Sequence, residues 1–570
     1  MAPSMFGSLS SGFAHFSTAD ASRLVLVTSL ISYLFFKRYE PKELLPLITL
    51  LILLPTLLAV PLTVVLGSGI LGLLVAFTAY GTAILSFTLI YRLSPFHPLA
   101  QYPGPIPARI SKWWSAYICA QGQQHLYYKA LHERYGDVVR VGPNELSIRD
   151  SAAVQPVLGP GGLSKGPFWD HRSKPPALIM ERDAAAHLRK RKPWNRAFTS
   201  AALKDYEVII NKRSQELIDR LEGMILKQSS NGKDRKASVD MSMWLNYFST
   251  DFMGDIAFGG AFQLMKDGGD AQGLWHIFES GLKATTILAH VSWCLVFLNR
   301  LPGWTSNIDR MRKFARDNVG KRLKLGSKRK DLFYHLGGED GPESDRLSVP
   351  ALASEGTLAI IAGSETTGTT LTALFYYLLT NPAAHQRLRE EIDGELPKGE
   401  ELDVSHLSHM AWLNACINEA LRLQPPVPSG TQRSVLRGMG PKIFGQHAIP
   451  EQTQLFINTY SMQRDPKNFS SPDAFVPERW LDRSGTKEVS PAIAVHNTEA
   501  FIPFSYGPAN CVGKNLGLLE MRILVCMLLR KFNFQPADGR SVAPEQWEET
   551  IQDFFTMQKG PLWADITLRA

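Results

Sequence analysis

The sequence predicts a helical membrane anchor joined to one large soluble catalytic domain. Three observations predict it. No charged residue occurs between Glu43 and Arg92, a stretch long enough for two membrane-crossing helices. After about residue 95 the chain is mixed in polarity, with no repeat of fixed period and no long low-complexity break. Finally, 570 residues at 45% hydrophobic and 20% charged can bury a substantial core without cross-links.

In the anchor, Leu44 to Val65 and Ile70 to Tyr91 each match the thickness of the hydrocarbon layer, and Gly67-Ser68-Gly69 supplies a turn between them. An earlier apolar run, Leu24 to Phe36, predicts a third span. The expected organisation is therefore a tail (1–23), an anchor (24–91, with spans about 20–36, 44–65 and 70–91), a proline-rich linker (92–110) and a catalytic domain (111–570). Lys37, Arg38 and Lys42 follow the first span and Arg92 follows the last, so three crossings put both clusters on the cytosolic side. No positive residue precedes Arg23, and Pro46, Pro55 and Pro61 interrupt the apolar run; both argue against a cleaved signal peptide. The absence of ionisable residues within the run argues against a transport site. Tyr102-Pro103-Gly104-Pro105-Ile106-Pro107 reads as a stiff, extended connector.

The five cysteines, Cys119, Cys294, Cys416, Cys511 and Cys526, are scattered and never in C-x-x-C spacing, against both a disulfide framework and a structural zinc site. A reducing, cytosol-facing compartment fits. The net charge of +8 is spread among acidic residues and no nucleic-acid motif accompanies it, so an acidic protein partner or an anionic membrane surface fits better than nucleic acid.

Four segments of the domain carry chemistry. Phe504-Ser505-Tyr506-Gly507-Pro508-Ala509-Asn510-Cys511-Val512-Gly513 precedes a leucine-rich helix, Leu516 to Leu529. Its glycines let the backbone bend around one sulfur, and the helix start stabilises negative charge there. Ala362-Gly363-Ser364-Glu365-Thr366-Thr367 lies in an apolar helical stretch from about Leu352 to Leu379, ended by Asn381-Pro382. Gly363 and the threonines weaken the helical ladder there, consistent with a local opening towards a ligand or with a close helix crossing. Glu419 and Arg422 share a helix face, as do His187 and Arg191 within a basic run that otherwise reads as solvated. Two further patterns are decoys. Gly159 to Gly166 lacks the Gly-Lys-Ser/Thr order of a phosphate loop and reads as a flexible loop, and Asn468-Phe469-Ser470 is a glycosylation pattern that a cytosolic domain does not use.

The pattern Phe504-x-x-Gly507-x-x-x-Cys511-x-Gly513 resembles the haem-binding loop of the cytochrome P-450 family, and the other segments resemble family motifs in the family's order. The resemblance covers roughly residues 100 to 560. It implies a mainly α fold with a smaller β region, N-terminal transmembrane helices, and heme b between the long central helix and the cysteine loop. Cys511 would be the axial thiolate, with Phe504, Gly507 and Gly513 shaping its loop. Thr366 would place a hydroxyl near O2, and Glu365 would take part in delivering protons. His187, Arg191 and Arg433 would bind the propionates, while Glu419, Arg422 and Arg479 would form a structural network. One departure stands out: the family loop usually carries Arg or His two residues before the cysteine, and this chain has Ala509.

By the same resemblance the chain is a monooxygenase inserting one oxygen atom of O2 into a hydrophobic small molecule. The wording of the motifs is similar to fungal secondary-metabolism members, with a terpenoid as the first substrate expectation and an aromatic or indole-type metabolite next. Substrate-lining regions would fall around Pro167 to Asp170, Val427 to Thr431 and Asp553 to Thr556. Electrons would come from an NADPH-cytochrome P-450 reductase in the endoplasmic reticulum membrane, with cytochrome b5 as an optional second donor. Arg189, Lys190, Lys192 and Lys514 are candidates to attract its acidic surface.

Overall fold

The structure is a computed structural model that describes residues 16–39, 43–170, 172–229, 236–271, 273–301, 303, 306–326, 330–342, 346–396, 402–481, 490–537, 539 and 544–569. Residues 1–15 of the expected tail, and Lys42, lie outside the described residues.

Three helices, α1 (Thr18–Tyr39), α2 (Leu44–Leu66) and α3 (Gly69–Leu93), are long and apolar enough to cross a membrane. Pro55 has no N–H to give to the preceding turn, and the ladder of α2 widens just before it into a π turn at Thr49–Leu53. Gly67 ends α2 at φ +66°, a left-handed conformation, and the Ser68 hydroxyl accepts from Leu71 N to start α3. Tyr80 Oη of α3 donates towards Ser32 Oγ (2.7 Å) and Leu50 O (2.8 Å), a polar tie across this apolar bundle.

The proline-rich segment is not a free connector. Pro105 is extended, but a short helix, α4 (Ile106–Ile110), follows at once. Leu99 and Tyr102 are buried in the core of the β region, and Pro103 O accepts from Arg140 N at 2.7 Å. Arg92 Nη1, at the end of α3, reaches Ile110 O at 2.5 Å. Apolar side chains interleaved with the prolines outweigh their tendency to stay solvated.

The body is mainly helical. It contains α5 (Ala184–Ala197), α6 (Ser200–Ser229), α7 (Met241–Phe258), α8 (Leu274–Ala289), α9 (Ser306–Leu325), the long central α10 (Val349–Thr380), α11 (Ala411–Leu423) and α12 (Lys514–Lys531). A five-stranded sheet is built from β1 (Val138–Gly142), β2 (Glu145–Ile148), β3 (Ser164–Lys165), β4 (Arg433–Ser434) and β5 (Gln454–Ile457), in the order β1-β2-β5-β4-β3. Only the β2–β5 pair is parallel. A hairpin, β6 (Gln552–Phe554) and β7 (Thr556–Gln558), completes the elements that reach the site.

Helix α10 runs through the largest core cluster. A Cβ on Gly356, Gly363 or Gly368 would collide with Phe258, Met253 or Asn246, all on α7. These glycines therefore let two helices pack closely, and α10 stays continuously α-helical through Gly363. Of the two readings of Gly363, the close crossing is the one observed. The ladder is not opened there: Thr366 Oγ1 donates back to Ala362 O (2.5 Å) and Thr370 Oγ1 to Thr366 O (2.9 Å).

Candidate active site

The cysteine loop is fixed by its own backbone. Cys511 N donates to Phe504 O (2.9 Å) and Asn510 N to Gly507 O (3.1 Å), bringing the sulfur to the amino end of α12. Gly507 sits at φ +73°, and a Cβ there would run into the carbonyl of Leu158. Gly513 has no such constraint; its nearest contacts for a Cβ are Phe198 at 3.6 Å and Cys511 Sγ at 3.9 Å. Gly507→Ala is accordingly expected to lose about 2–3 kcal/mol of stability through left-handed strain and overpacking, against little change for Gly513→Ala in the haem-free protein. Thermal unfolding of the two variants checks this.

Cys511 faces a cavity of about 470 Å³. The other four cysteines are buried elsewhere in the chain, and none of them lines it. Burial pushes the Cys511 thiol up, while the amides of Gly513 and Lys514 and the charges of Arg191 and Lys514 pull it back. Among the described residues no group of three His, Cys, Asp or Glu could hold a bare metal ion. A metal at Cys511 must bring most of its own ligands.

The cavity wall near this loop is cationic. His187, Arg191 and Lys165 line it, and none has a carboxylate within ion-pair distance among the described residues. Arg191 also clamps the loop, its guanidinium donating to Asn510 O (2.7 Å) and Asn510 Oδ1 (3.0 Å). Arg433 stands behind Lys165, its cross-strand partner, and is not on the lining itself; its Nε is buried without a partner. Burial, together with the charge of Arg433, brings Lys165 down to about 7. Burial and then the charges of Lys165, Arg191 and Arg433 bring His187 down to about 4. Two guanidinium groups that disfavour further positive charge on Lys165 and His187 make a ready seat for a dianion.

Lys165 was not among the sequence candidates. It lies in the glycine-rich stretch expected to be a flexible loop, of which Ser164–Lys165 forms strand β3, with Gly166 packed against Gln432. The missing base at Ala509 was the available signal that a cation should come from elsewhere. Asn468 of the glycosylation pattern is buried and donates to Met462 O.

On the opposite helix, Thr366 and Gly363 line the cavity, and Glu365 does not. Successive residues of a helix point about 100° apart. Glu365 is buried behind the wall, 3.9 Å from Lys559 Nζ, which donates to Asn246 Oδ1 (2.7 Å). Burial raises the carboxyl of Glu365 and Lys559 opposes the rise.

Below the loop, Arg422 grips Glu419 with two hydrogen bonds (2.9 and 2.8 Å), and Arg479 reaches the same carboxylate at 3.1 Å. Trp480 Nε1 (2.8 Å) and Val476 N (3.0 Å) also donate to it. All three charged side chains are fully buried. Burial opposes ionisation of Glu419, but the hydrogen bond and charge of Arg422 and the charge of Arg479 hold its carboxyl below the usual range.

The family model described as Cytochrome P450 matches residues 101–562. The chain belongs to the cytochrome P450 family. It is a monooxygenase of that family, and its relatives are fungal secondary-metabolism enzymes. The cytochrome P450 monooxygenase phqL of Penicillium fellutanum is 34% identical over 82% of this chain and 79% of its own length. FCK2 of Fusarium pseudograminearum is 33% identical over 85% of each. Tryprostatin B 6-hydroxylase of Aspergillus fumigatus is 32% identical over 84% of this chain and 82% of its own length.

Membership in the cytochrome P450 family implies a haem-thiolate iron. The residues present fit it: a lone thiol faces the cavity, the basic residues beside it have no carboxylate partner among the described residues, and the orphaned Nε of Arg433 lies behind them.

Proposed function

We propose that this P450 inserts one atom of O2 into a hydrophobic fungal secondary metabolite, a terpenoid first and an indole-type or other aromatic metabolite second. Electrons come from NADPH through a flavoprotein reductase at the endoplasmic reticulum membrane, with cytochrome b5 as an alternative donor. The observation that carries the reading is that Cys511 Sγ, Thr366 and a largely apolar wall share one cavity.

When bound, the haem supplies the redox chemistry of O2 cleavage, which an anionic sulfur ligand favours. Cys511 provides that sulfur. Lys165 and Arg191 would neutralise the propionates and His187 would hydrogen-bond to them, with Arg433 reinforcing them from the neighbouring strand and Lys165 standing in for the base absent at Ala509. The apolar wall, including Phe278, Leu358 and Phe555, excludes water. Thr366 holds a proton at Oγ1 on the cavity surface, and Glu365 restores it from behind the wall. Of the expected reductase contacts, Arg189, Lys192 and Lys514 are exposed. Lys190 is already taken by Glu181 (2.8 Å) and Pro176 O (2.6 Å).

The test is metabolite comparison in microsomes carrying the chain and a reductase, with labelled O2. One labelled oxygen atom per product, dependent on NADPH, is the expected result. Product formed without NADPH or O2 would instead identify a haem-thiolate rearrangement enzyme. Thr366→Ala is expected to keep the haem-thiolate spectrum but lower product per NADPH consumed by about tenfold or more, with peroxide rising to match. Unchanged coupling would remove Thr366 from the proton path.

A further inference from the structure

The same cavity carries a cation that the haem seat does not use. Arg172 lines the wall and donates from Nη2 to Thr285 O of α8 at 3.1 Å. Its guanidinium lies 4.6 Å from the ring of Phe168 and 5.0 Å from that of Trp169, which hold it in place. Among the described residues its Nε and Nη1 donate to nothing, and no carboxylate pairs with it. The buried carboxylate of Asp553 is occupied by Ser429 Oγ (3.2 Å) and Phe555 N (3.1 Å).

Arg172 is separate from the four cations near Cys511. Lys165 and His187 feel the charges of Arg191 and Arg433, and Arg172 figures among the charges acting on none of the four. Burial pulls its guanidinium down to about 9, with only Cys119 opposing, as expected of a charge without a counter-ion. The wall around it is of one sign. Glu520 is the sole acid on the lining among the described residues, and Lys174, Arg312 and Arg316 sit exposed on the same lining, Arg312 paired with Asp309.

We infer that Arg172 is the substrate anchor, and that the substrate is a hydrophobic molecule bearing a carboxylate, which is held at the free Nη1 end of this guanidinium. Nη1 offers a carboxylate oxygen a charge-assisted hydrogen bond, while Nη2 keeps the guanidinium tied to Thr285 O. Pairing relieves a buried charge, whereas a neutral substrate would leave it uncompensated. The exposed cations on the lining draw an anion in. Trp169, Ile179, Leu282 and Phe555 provide apolar surface for the remainder of the molecule. This deepens the monooxygenase reading and rests on it only in assigning the cavity to substrate.

The test is equilibrium binding of 2-naphthoate and of 2-naphthamide to the haem-loaded enzyme, by calorimetry and by the substrate-induced spectral shift. The wild type is expected to bind the carboxylate at least ~10-fold more tightly than the amide, and Arg172→Gln to lose that preference while its affinity for the amide changes little. Equal affinity for the two probes in the wild type overturns the proposal, as does an equal loss for both in Arg172→Gln. If Arg172→Gln does not load haem, Arg172→Lys replaces it. That variant is expected to keep a reduced preference for naphthoate, and binding both probes alike overturns the anchor. The carbon-monoxide spectrum of the same samples reports independently on the haem-thiolate reading.

Discussion

Replacing Cys511 with serine is expected to abolish both turnover and the red-shifted Soret band that a thiolate gives the reduced, carbon-monoxide-bound protein. A serine hydroxyl is far less acidic than a thiol and supplies no anionic sulfur to the iron. Because Cys511 faces the cavity and not the core, the exchange removes little packing, and the polypeptide is expected to keep its fold. No other thiol can substitute. Cys119, Cys416 and Cys526 are fully buried, and burial pushes each of their thiols up, that of Cys526 to about 12. A wild-type spectrum without the red shift would overturn the ligand assignment, and a shifted band surviving in Cys511→Ser would move it to another residue.

Glu419→Gln acts on the fold itself. It removes the carboxylate that holds two fully buried guanidinium groups and leaves Arg422 a buried charge without its ion-pair partner. Breaking such a pair from one side costs about 3–5 kcal/mol. The expected outcome is a large fall in thermal stability and in the fraction of chain that loads haem, read by differential scanning calorimetry and by the haem-to-protein absorbance ratio. The pH dependence has a definite sign. The folded carboxyl lies below its ordinary value, so its stabilisation is complete above the unfolded value and is lost as pH falls through the folded one. Below about pH 4 the difference between wild type and Glu419→Gln should therefore narrow. A gap that stays constant across that range would assign the loss to packing.

How much of this could be read in the sequence follows from the range of the interactions. The cysteine loop is local: Phe504, Gly507 and Cys511 interact within eight residues, so spacing alone carries the geometry. Glu419 and Arg422 are one helical turn apart and share a face. Arg479 was reachable only through the resemblance, since the sixty-residue return to Glu419 has no periodic signature. Lys165 was missed because its significance comes from pairing across a sheet with Arg433, 268 positions later, where a local reading sees only glycines. Glu365 and Thr366 are adjacent in sequence, but the twist of the helix sends one to the cavity and the other behind it. The same limit explains Gly363: whether a small residue opens a helix or admits a neighbour depends on Met253, over a hundred residues away.

The contact between the apolar helices and the body bears on how the enzyme meets its substrate. Leu99 and Tyr102 are fastened into the β region, and Arg92 Nη1 and Arg92 O are tied to Ile110 and Arg140. The junction therefore works as a bracket with no swivel. Where the three apolar helices lie in a bilayer, they dictate the tilt of the whole catalytic body and the height of its cavity above the lipid. The direction from which an oily acid arrives is then built into the polypeptide, and does not depend on tumbling at the end of a leash.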